Sequence, residues 1–284
     1  MGRFRCDIHL KENVLPVSVR ANIMGILNVT PDSFSDGSRY MDPGMAVDRA
    51  VRMEEEGADI IDIGGESSRP GALPVEEKEE IERVIPVLRE IKKKCKAVIS
   101  VDTCKSEVAR RALDEGAEII NDITALCGDK KMAKVIAAAK GAVCLMHMKG
   151  SPRDMQFNPV YGDVIEEIKT YLAASIKSAQ EAGIDPGRII IDPGIGLFGK
   201  TSQHNLTILK KLSCFKALNM PIMIGTSRKN FIGEITGKGV SERKFGTAAT
   251  VASAILGGAN IVRVHDVHET RDVALIIDAI EDAV

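Results

Sequence analysis

The sequence contains no tryptophan, and aromatic residues make up only 4% of its 284 positions. The stacking platforms of single-strand binders and the aromatic anchors of protein-recognition surfaces are therefore in short supply. A charge bias is also missing. Lysine and arginine number 38 against 40 aspartates and glutamates, a net of −2, which removes the bulk electrostatic case for nucleic acid or an anionic membrane. Any anion must be gripped locally. The six cysteines (Cys6, Cys95, Cys104, Cys127, Cys144 and Cys214) form no C-x-x-C pair and no cluster at zinc spacing, so they read as reduced thiols of a cytosolic protein. Residues 1 to 20 carry Arg3, Arg5, Asp7, Lys11, Glu12 and Arg20, with no apolar segment leading to a small-residue cleavage site. That argues against secretion. The one stretch needing a membrane test, Phe245 to Val262, is uncharged but contains Gly246, Thr247, Thr250, Ser253, Gly257, Gly258 and Asn260. It reads as a buried helix leading into a strand.

What is present is enough for a full core: 44% hydrophobic and 27% charged residues place the chain among ordinary globular proteins. Short β-branched runs alternate with helical stretches along its whole length, and no Ser/Pro/Gly-rich linker divides it. The strand candidates are Asn22 to Val29, Asp59 to Gly64, Ala97 to Asp102, Glu118 to Asp122, Ala142 to His147, Arg188 to Asp192, Pro221 to Gly225 and Asn260 to His265. Between them lie segments of 3.6-residue period, such as Ala46-Val47-Ala50-Val51-Met53, Ile81-Val84-Ile85-Leu88-Ile91 and Ile165-Ile168-Leu172-Ile176. Eight such units predict an α/β chain folded as a single (β/α)8 TIM barrel, residues 1–284. An open doubly wound sheet would usually place a Gly-rich phosphate turn after its first strand, and here that turn reads Gly25-Ile26-Leu27-Asn28-Val29-Thr30-Pro31. Residues 1–20 form an N-terminal extension, read as either a hairpin or a plug at the barrel's bottom.

In this fold the site is built where strands leave the core, so the residues at those ends carry the argument. They are unusually polar: Asn28, then Gly64 to Arg69, Asp102, Asn121-Asp122, His147, Asp192, Thr226 to Lys229, and Arg263 to Asp266. Asp102, Asn121 and Asp192 suit a flat heterocycle with an amino-amide edge, and Lys229 would complement a ring carbonyl or nitrogen. The bland reading makes each Asp a helix cap. Arg263 and His265, with Ser68 and Arg69, form a cationic, hydroxyl-bearing patch that predicts a phosphorylated ligand. Its bland counterpart pairs Arg263 with Glu66 or Asp266. Asn28 could contribute an oxygen to a Mg²⁺ shell made otherwise of water and phosphate. Thr30 to Gly37, which includes Asp32 and Phe34, and Glu66 to Pro74 have the composition of lids. Cys104 reads as helix-start filler, and His147 as either a site group or a satisfied structural imidazole.

Two runs, Asn28-Val29-Thr30-Pro31-Asp32-Ser33-Phe34-Ser35-Asp36-Gly37 and Asp62-Ile63-Gly64-Gly65-Glu66-Ser67-Ser68-Arg69-Pro70-Gly71, resemble the paired signatures of the dihydropteroate synthase family of folate biosynthesis. Ser100 to Thr103, Ile120 to Asp122, Leu145 to Gly150, Asp192 to Gly194, Ser227 to Lys229 and Arg263 to Asp266 resemble that family in the same order, over about residues 22 to 282. The resemblance implies a transferase that condenses 6-hydroxymethyl-7,8-dihydropterin diphosphate with 4-aminobenzoate, with Mg²⁺ required. It implies that Asp102, Asn121, Asp192 and Lys229 hold the pterin, that Ser68, Arg263 and His265 hold the diphosphate, and that Mg²⁺ sits near Asn28. Arg69, Pro70, Ser227 and Phe198 or Leu197 would border the aminobenzoate, and the enzyme would be a cytoplasmic homodimer joined through its last helices. Ser68 stands where the family commonly has Thr and keeps the hydroxyl. The run Gly194 to Lys200 is one residue longer than the usual pattern, which leaves the choice between Leu197 and Phe198 open.

An aromatic amine is neutral at pH 7, so the expected barrier lies in expelling diphosphate rather than in activating the nucleophile. Loss of diphosphate ahead of C–N bond formation would develop a pterin methyl cation, favoured by the negative charge of Asp102 or Asp32. Mg²⁺, Arg263 and His265 would stabilise the leaving charge, at roughly 3–4 kcal/mol per preorganised donor. The rivals are a methyltetrahydrofolate–corrinoid methyltransferase, against which both loop signatures speak, and a non-catalytic pterin-binding protein, which should lack the lids and the anion grip. A Schiff-base aldolase using Lys229 is disfavoured because a lysine beside Arg228 in a polar strand end should lack the desolvation that depresses its pKa.

Overall fold

The computed structural model describes residues 7–30, 43–67, 73–150 and 159–283. Two short strands, β1 (Ile8–His9) and β2 (Val14–Leu15), pair antiparallel as a hairpin. Eight parallel strands follow: β3 (Asn22–Asn28), β4 (Ile60–Gly64), β5 (Val98–Asp102), β6 (Ile119–Asp122), β7 (Ala142–Met146), β8 (Ile189–Asp192), β9 (Met223–Ile224) and β10 (Ile261–Val264). Their order is β8-β7-β6-β5-β4-β3-β10-β9, and a bridge between Ile191 and Ile222 brings the two ends together. The expected eight-stranded parallel barrel is therefore the architecture observed. Each sequence-predicted strand falls on an observed one, longer at one or both ends than the hydrogen-bonded ladder.

The helices lie where the 3.6-residue period predicts them. α1 (Pro43–Glu55) buries Ala46, Val47, Ala50 and Met53, and α2 (Glu77–Lys94) buries Val84, Ile85, Leu88 and Ile91. α2 also carries Glu77, Glu79 and Glu80 in its first turn and Lys92 to Lys94 in its last, the arrangement that complements a helix dipole. α3 (Ser106–Asp114), α4 (Met132–Ala139) and α5 (Val164–Glu181) continue the ring, α5 being capped by the Asp163 carboxylate, which accepts from the N–H groups of Ile165 and Glu166. α6 (Ser202–Lys210), α7 (Asn230–Thr236), α8 (Lys244–Leu256) and α9 (Val267–Asp282) complete it. The stretch Phe245 to Val262 departs from the sequence reading in one respect: α8 buries Thr247, Val251, Ala254 and Ile255, but Phe245 is 79% exposed. Only one face of that helix meets the barrel. Among the described residues no helix is long and apolar enough to cross a membrane.

Strand residues alternate between the helix layer and the barrel interior, and the interior is divided by height. Its lower half is filled by Met24, Ile60, Ile119, Ala142, Cys144, Ile190, Met223 and Ile261. Ile8, Leu10, Leu15 and Val17 of the hairpin segment join this cluster, so the extension is both a hairpin and the plug of the barrel's bottom. The upper half is polar: Asp62, Asn121 and Asp192 are all buried. Sealing the lower half leaves one open mouth, at the strands' C-terminal ends.

Ile8 is fully buried in the plug. Ile8→Ala is expected to lower unfolding free energy by about 2–5 kcal/mol in urea denaturation. A loss smaller than about 0.5 kcal/mol would mean that the hairpin does not seal the barrel.

Candidate active site

The base of the mouth is a charged network. Arg263, on β10, donates from Nε to Asp62 Oδ2 at 2.6 Å and from Nη2 to Asp102 Oδ2 at 2.7 Å. Asn121 Nδ2 also donates to Asp62 Oδ2, at 3.2 Å, which fixes the orientation of its amide because a carboxylate can only accept. Strand register makes this possible, since Asp102 lies opposite Asn121 on the adjacent strand and Gly64 lies opposite Asp102. The pairing of Arg263 with Glu66 or Asp266 is not what forms. Glu66 is held by Lys105, and Asp266 receives Nε and Nη2 of Arg228 at 3.1 and 2.5 Å.

Burial works against the Arg263 cation, but the attraction of Asp62 and Asp102 overrides it and keeps the guanidinium charged. For Asp102 the balance falls the other way. Burial, with repulsion from Asp62, raises its pKa to about 7 despite Arg263. Burial likewise raises Asp192, whose Oδ1 accepts from the Gly194 N–H at 2.7 Å. Neither Asp102 nor Asp192 caps the helix that follows it, because Lys105 stands at the N-cap of α3 and Thr201 at that of α6; Asp122 instead holds the turn after β6, accepting from the N–H groups of Thr124 and Leu126. Asp102 is committed to the network instead.

Lys229 corrects the sequence reading. Burial and the nearby Arg263 cation lower its pKa to about 8, while Asp192 and Asp102 pull it back up. Arg228 does not keep it solvated, because Arg228 turns away to Asp266 from a left-handed backbone position, φ 56°. The Lys229 ammonium stands 4.7 Å from the Phe198 ring centroid, and Phe198 packs with Met146 and Met148. Phe198, rather than Leu197, is therefore the aromatic wall beside Lys229.

A second lysine supports that wall. Lys200 is 1% exposed, and its Nζ meets His147 Nδ1 at 2.9 Å, Phe198 O at 3.1 Å and His147 O at 3.3 Å. Three acceptors match three ammonium protons. Burial nevertheless lowers its pKa to about 7, with Asp192 opposing the shift and Lys229 adding to it. His147 thus takes its structural reading, closed off by Lys200 and by an edge contact with Tyr171 at 4.9 Å. The tight approach of the two loops needs Gly194, at φ +75°, where a Cβ would lie 2.0 Å from His147 O. Cys104 is no nucleophile, since burial drives its thiol up to about 12.

At the rim, Ser227 follows β9 and His265 follows β10. Their side chains meet, Ser227 Oγ to His265 Nδ1, at 2.9 Å. Burial, Arg263 and Arg228 lower the His265 pKa to about 3, so the ring is neutral near pH 7. Asn28 ends β3 beside Gly64, where even an added Cβ would stay 3.6 Å from Asn28 Oδ1. The structure therefore brings Asn28, Asp102, Asn121, Asp192, Phe198, Ser227, Lys229, Arg263 and His265 to one end of the barrel. Asp32, Ser68, Arg69 and Pro70, with both lid sequences in large part, lie outside the described residues.

Three groups escaped the sequence reading. Asp62 sits inside an apolar strand, Ile60-Ile61-Asp62-Ile63, and a charge in such a run was the available signal. Lys200 closes the run after β8 and was assigned no role from the sequence. Glu80, 1% exposed on α2, receives Lys105 at 2.5 Å, so Lys105 ties the start of the second lid sequence, at Glu66, to the helix.

Removing Arg263 should expose the cost of the network. Arg263→Met is expected to destabilise the fold by about 3–5 kcal/mol at pH 8, because buried carboxylates lose their cation. Asp102 titrates above its unfolded range of about 4, and loss of Arg263 lifts it further, so folding takes up a proton. Stability therefore falls as pH rises from about 4 through neutrality, and the deficit should shrink at pH 5. A deficit equal at both pH values in urea titrations would contradict this account.

The chain matches the pterin binding enzyme family over residues 24–265. It is 45% identical to the dihydropteroate synthase of Synechocystis over 262 residues, 92% of this chain and 90% of that one. The Yersinia pestis dihydropteroate synthase, solved with a sulfonamide drug complex, superposes with a TM-score of 0.93 at 39% identity, covering 98% of this chain and all of that one. The Xanthomonas albilineans enzyme, solved with 4-aminobenzoic acid, gives 0.91 at 41% identity, covering 98% and 99%. The chain belongs to the pterin binding enzyme family, and within it to the dihydropteroate synthases, which are transferases.

Proposed function

We propose that the barrel mouth joins 6-hydroxymethyl-7,8-dihydropterin diphosphate to 4-aminobenzoate, releasing 7,8-dihydropteroate and diphosphate. The observation that carries the reading is a wall of buried acceptors. Asn121 Oδ1 and Asp62 Oδ1 are enclosed with no hydrogen-bond partner among the described residues, and Asp102 and Asp192 flank them. A planar ring with amino and amide N–H groups supplies the donors that such a wall needs. Asp102, Asn121, Asp192 and Lys229 hold that ring, with Asp62 added to the set foreseen from the sequence.

The diphosphate lies at the rim, against Ser68, Arg263 and His265. Two of the five Arg263 N–H groups are committed to carboxylates, so the guanidinium offers the leaving group its remaining donors rather than an unopposed charge. His265 offers a neutral N–H. Arg69, Pro70, Ser227 and Phe198 border the aminobenzoate, whose neutral amine needs no strong base. Departure of diphosphate ahead of C–N bond formation leaves positive charge on the pterin methyl carbon, next to the carboxylate of Asp102, with Asp32 as a second counter-charge. The two lid sequences keep water from that carbon.

Mg²⁺ fits this arrangement through a single protein oxygen. Among the described residues no three His, Cys, Asp or Glu side chains cluster as a metal site, so a cage is not what the chain offers. Asn28 presents a hard oxygen donor at the mouth, and Mg²⁺ commonly keeps several waters and takes the rest of its shell from substrate phosphates. When bound it would neutralise charge on the departing diphosphate. We further propose a cytoplasmic homodimer joined through α8 and α9, supported by Phe245, Ile276 and Ile280, which are 79%, 62% and 58% exposed.

The decisive measurement is diphosphate release from the pterin diphosphate with and without 4-aminobenzoate. Release that depends on the amine and stops on Mg²⁺ chelation is expected; no release under any condition would leave a binding protein. Lys229→Met should reduce kcat/KM on the order of 10²- to 10³-fold with the far-UV spectrum unchanged. Equilibrium sedimentation is expected to give twice the chain mass, and a monomer at all micromolar concentrations would remove the dimer.

A further inference from the structure

Ser227 Oγ is 5% exposed and sits between two groups of the same residue. It accepts from the backbone N–H of His265 at 3.1 Å, and it lies 2.9 Å from Nδ1 of the His265 ring. A hydroxyl has one proton and two lone pairs. With one lone pair given to the backbone N–H, its proton must find an acceptor, and Nδ1 is the acceptor it has among the described residues. Were Nδ1 protonated, Oγ would accept twice and its own buried proton would go unpaired, a loss of about 1–3 kcal/mol.

We propose that Ser227 is a positioning residue for His265: its O–H donates to Nδ1, fixes the ring as the Nε2–H tautomer and so makes it a hydrogen-bond donor toward the anion. The role toward the anion rests on the reading given under Proposed function; the tautomer itself rests on the two contacts alone. Charge around the ring agrees with a neutral imidazole. Arg263, Arg228 and Lys229 disfavour the imidazolium, and Asp266 alone among the charged neighbours favours it. With the cation excluded, the unbound ring has two neutral forms to choose between, and only one of them leaves a donor at the nitrogen away from Ser227. The same serine borders the proposed aminobenzoate site, so one hydroxyl connects the nucleophile's side of the mouth to the leaving group's side.

The full chain labelled with ¹⁵N-histidine, free of substrate at pH 7, reports the protonated nitrogen directly by long-range ¹H–¹⁵N correlation. His265 is assigned among the five histidines by loss of its signals in His265→Gln. The expected spectrum shows unprotonated Nδ1 and protonated Nε2, shifting to a mixture of tautomers in Ser227→Ala and preserved in Ser227→Thr. In turnover, Ser227→Ala should lower kcat about 10- to 100-fold, the range found when a group that orients a functional histidine is removed, and Ser227→Thr should restore most of it. A protonated Nδ1 in the unsubstituted protein overturns the proposal, as does an unchanged tautomer in Ser227→Ala. Should the alanine variant not fold, the spectrum of the unsubstituted protein still decides the tautomer. If that spectrum is as expected but His265→Gln leaves amine-dependent diphosphate release unaltered, the role of His265 toward the anion fails and the tautomer assignment stands.

Discussion

The structure depends on one interaction inside the barrel, the reach of Arg263 from β10 to Asp62 on β4 and Asp102 on β5. In the sheet order β3 lies between β10 and β4, and β3 and β4 between β10 and β5, so the guanidinium reaches past one strand to Asp62 and past two to Asp102. A (β/α)8 barrel is ordinarily filled by layers of branched apolar side chains, and here the layer nearest the mouth is filled by one cation and two carboxylates. Such a cluster seldom adds stability over an apolar filling, because desolvation of each ion offsets most of the attraction. What it supplies is a rigid polar floor. Two carboxyl groups against one guanidinium leave the floor with no surplus positive charge, and burial holds the Asp102 carboxyl near its neutral form.

The apolar half beneath makes this arrangement tolerable. The hairpin residues Ile8, Leu10, Leu15 and Val17 pack with the apolar lower strand residues, so a buried apolar layer underlies the charged one. Two lysines then enter the same region of low polarity, and burial lowers the pKa of both. They resolve the conflict differently. Lys200 surrounds its ammonium with three acceptors and becomes a clasp between the ends of two loops, whereas Lys229 stays at the mouth beside Phe198 and opposite Asp192.

Much of this was legible in the sequence, for reasons that can be named. Strands such as Ile189-Ile190-Ile191 and helices such as Ile165-Ile168-Leu172-Ile176 announce themselves because burial on two faces or one leaves a period that needs no partner to read. The polar strand ends were legible because one fold places all of them together. Pairing was not. Arg263 could be matched on paper with Glu66 or Asp266, its neighbours along the rim, and nothing in the order of residues says that a long side chain will point down the barrel to Asp62. Lys229 was misjudged for the same reason: its neighbour Arg228 suggested solvent, but a left-handed turn sends the two side chains in different directions. Lys200 was invisible because its burial depends on loops folding over it at Gly194, a matter of tertiary approach rather than local pattern.

The distribution of charge also explains how one small opening can accept both a neutral heterocycle and a highly charged tail. Deep in the mouth Arg263 is already answered by Asp62 and Asp102, so a multiply charged anion placed there would find little uncompensated positive charge and would lose its water. A planar ring loses far less, and its N–H groups meet acceptors that the protein leaves unpaired. At the rim the balance changes: His265 is neutral, Arg263 keeps donors in reserve, and solvent, with the proposed Mg²⁺, would share the anion's charge. Depth therefore sorts the two ends of a substrate without a dedicated pocket for each. In the proposed reaction it would also set the direction of bond breaking, with the ring kept beside the buried carboxyl groups and the diphosphate leaving toward the rim.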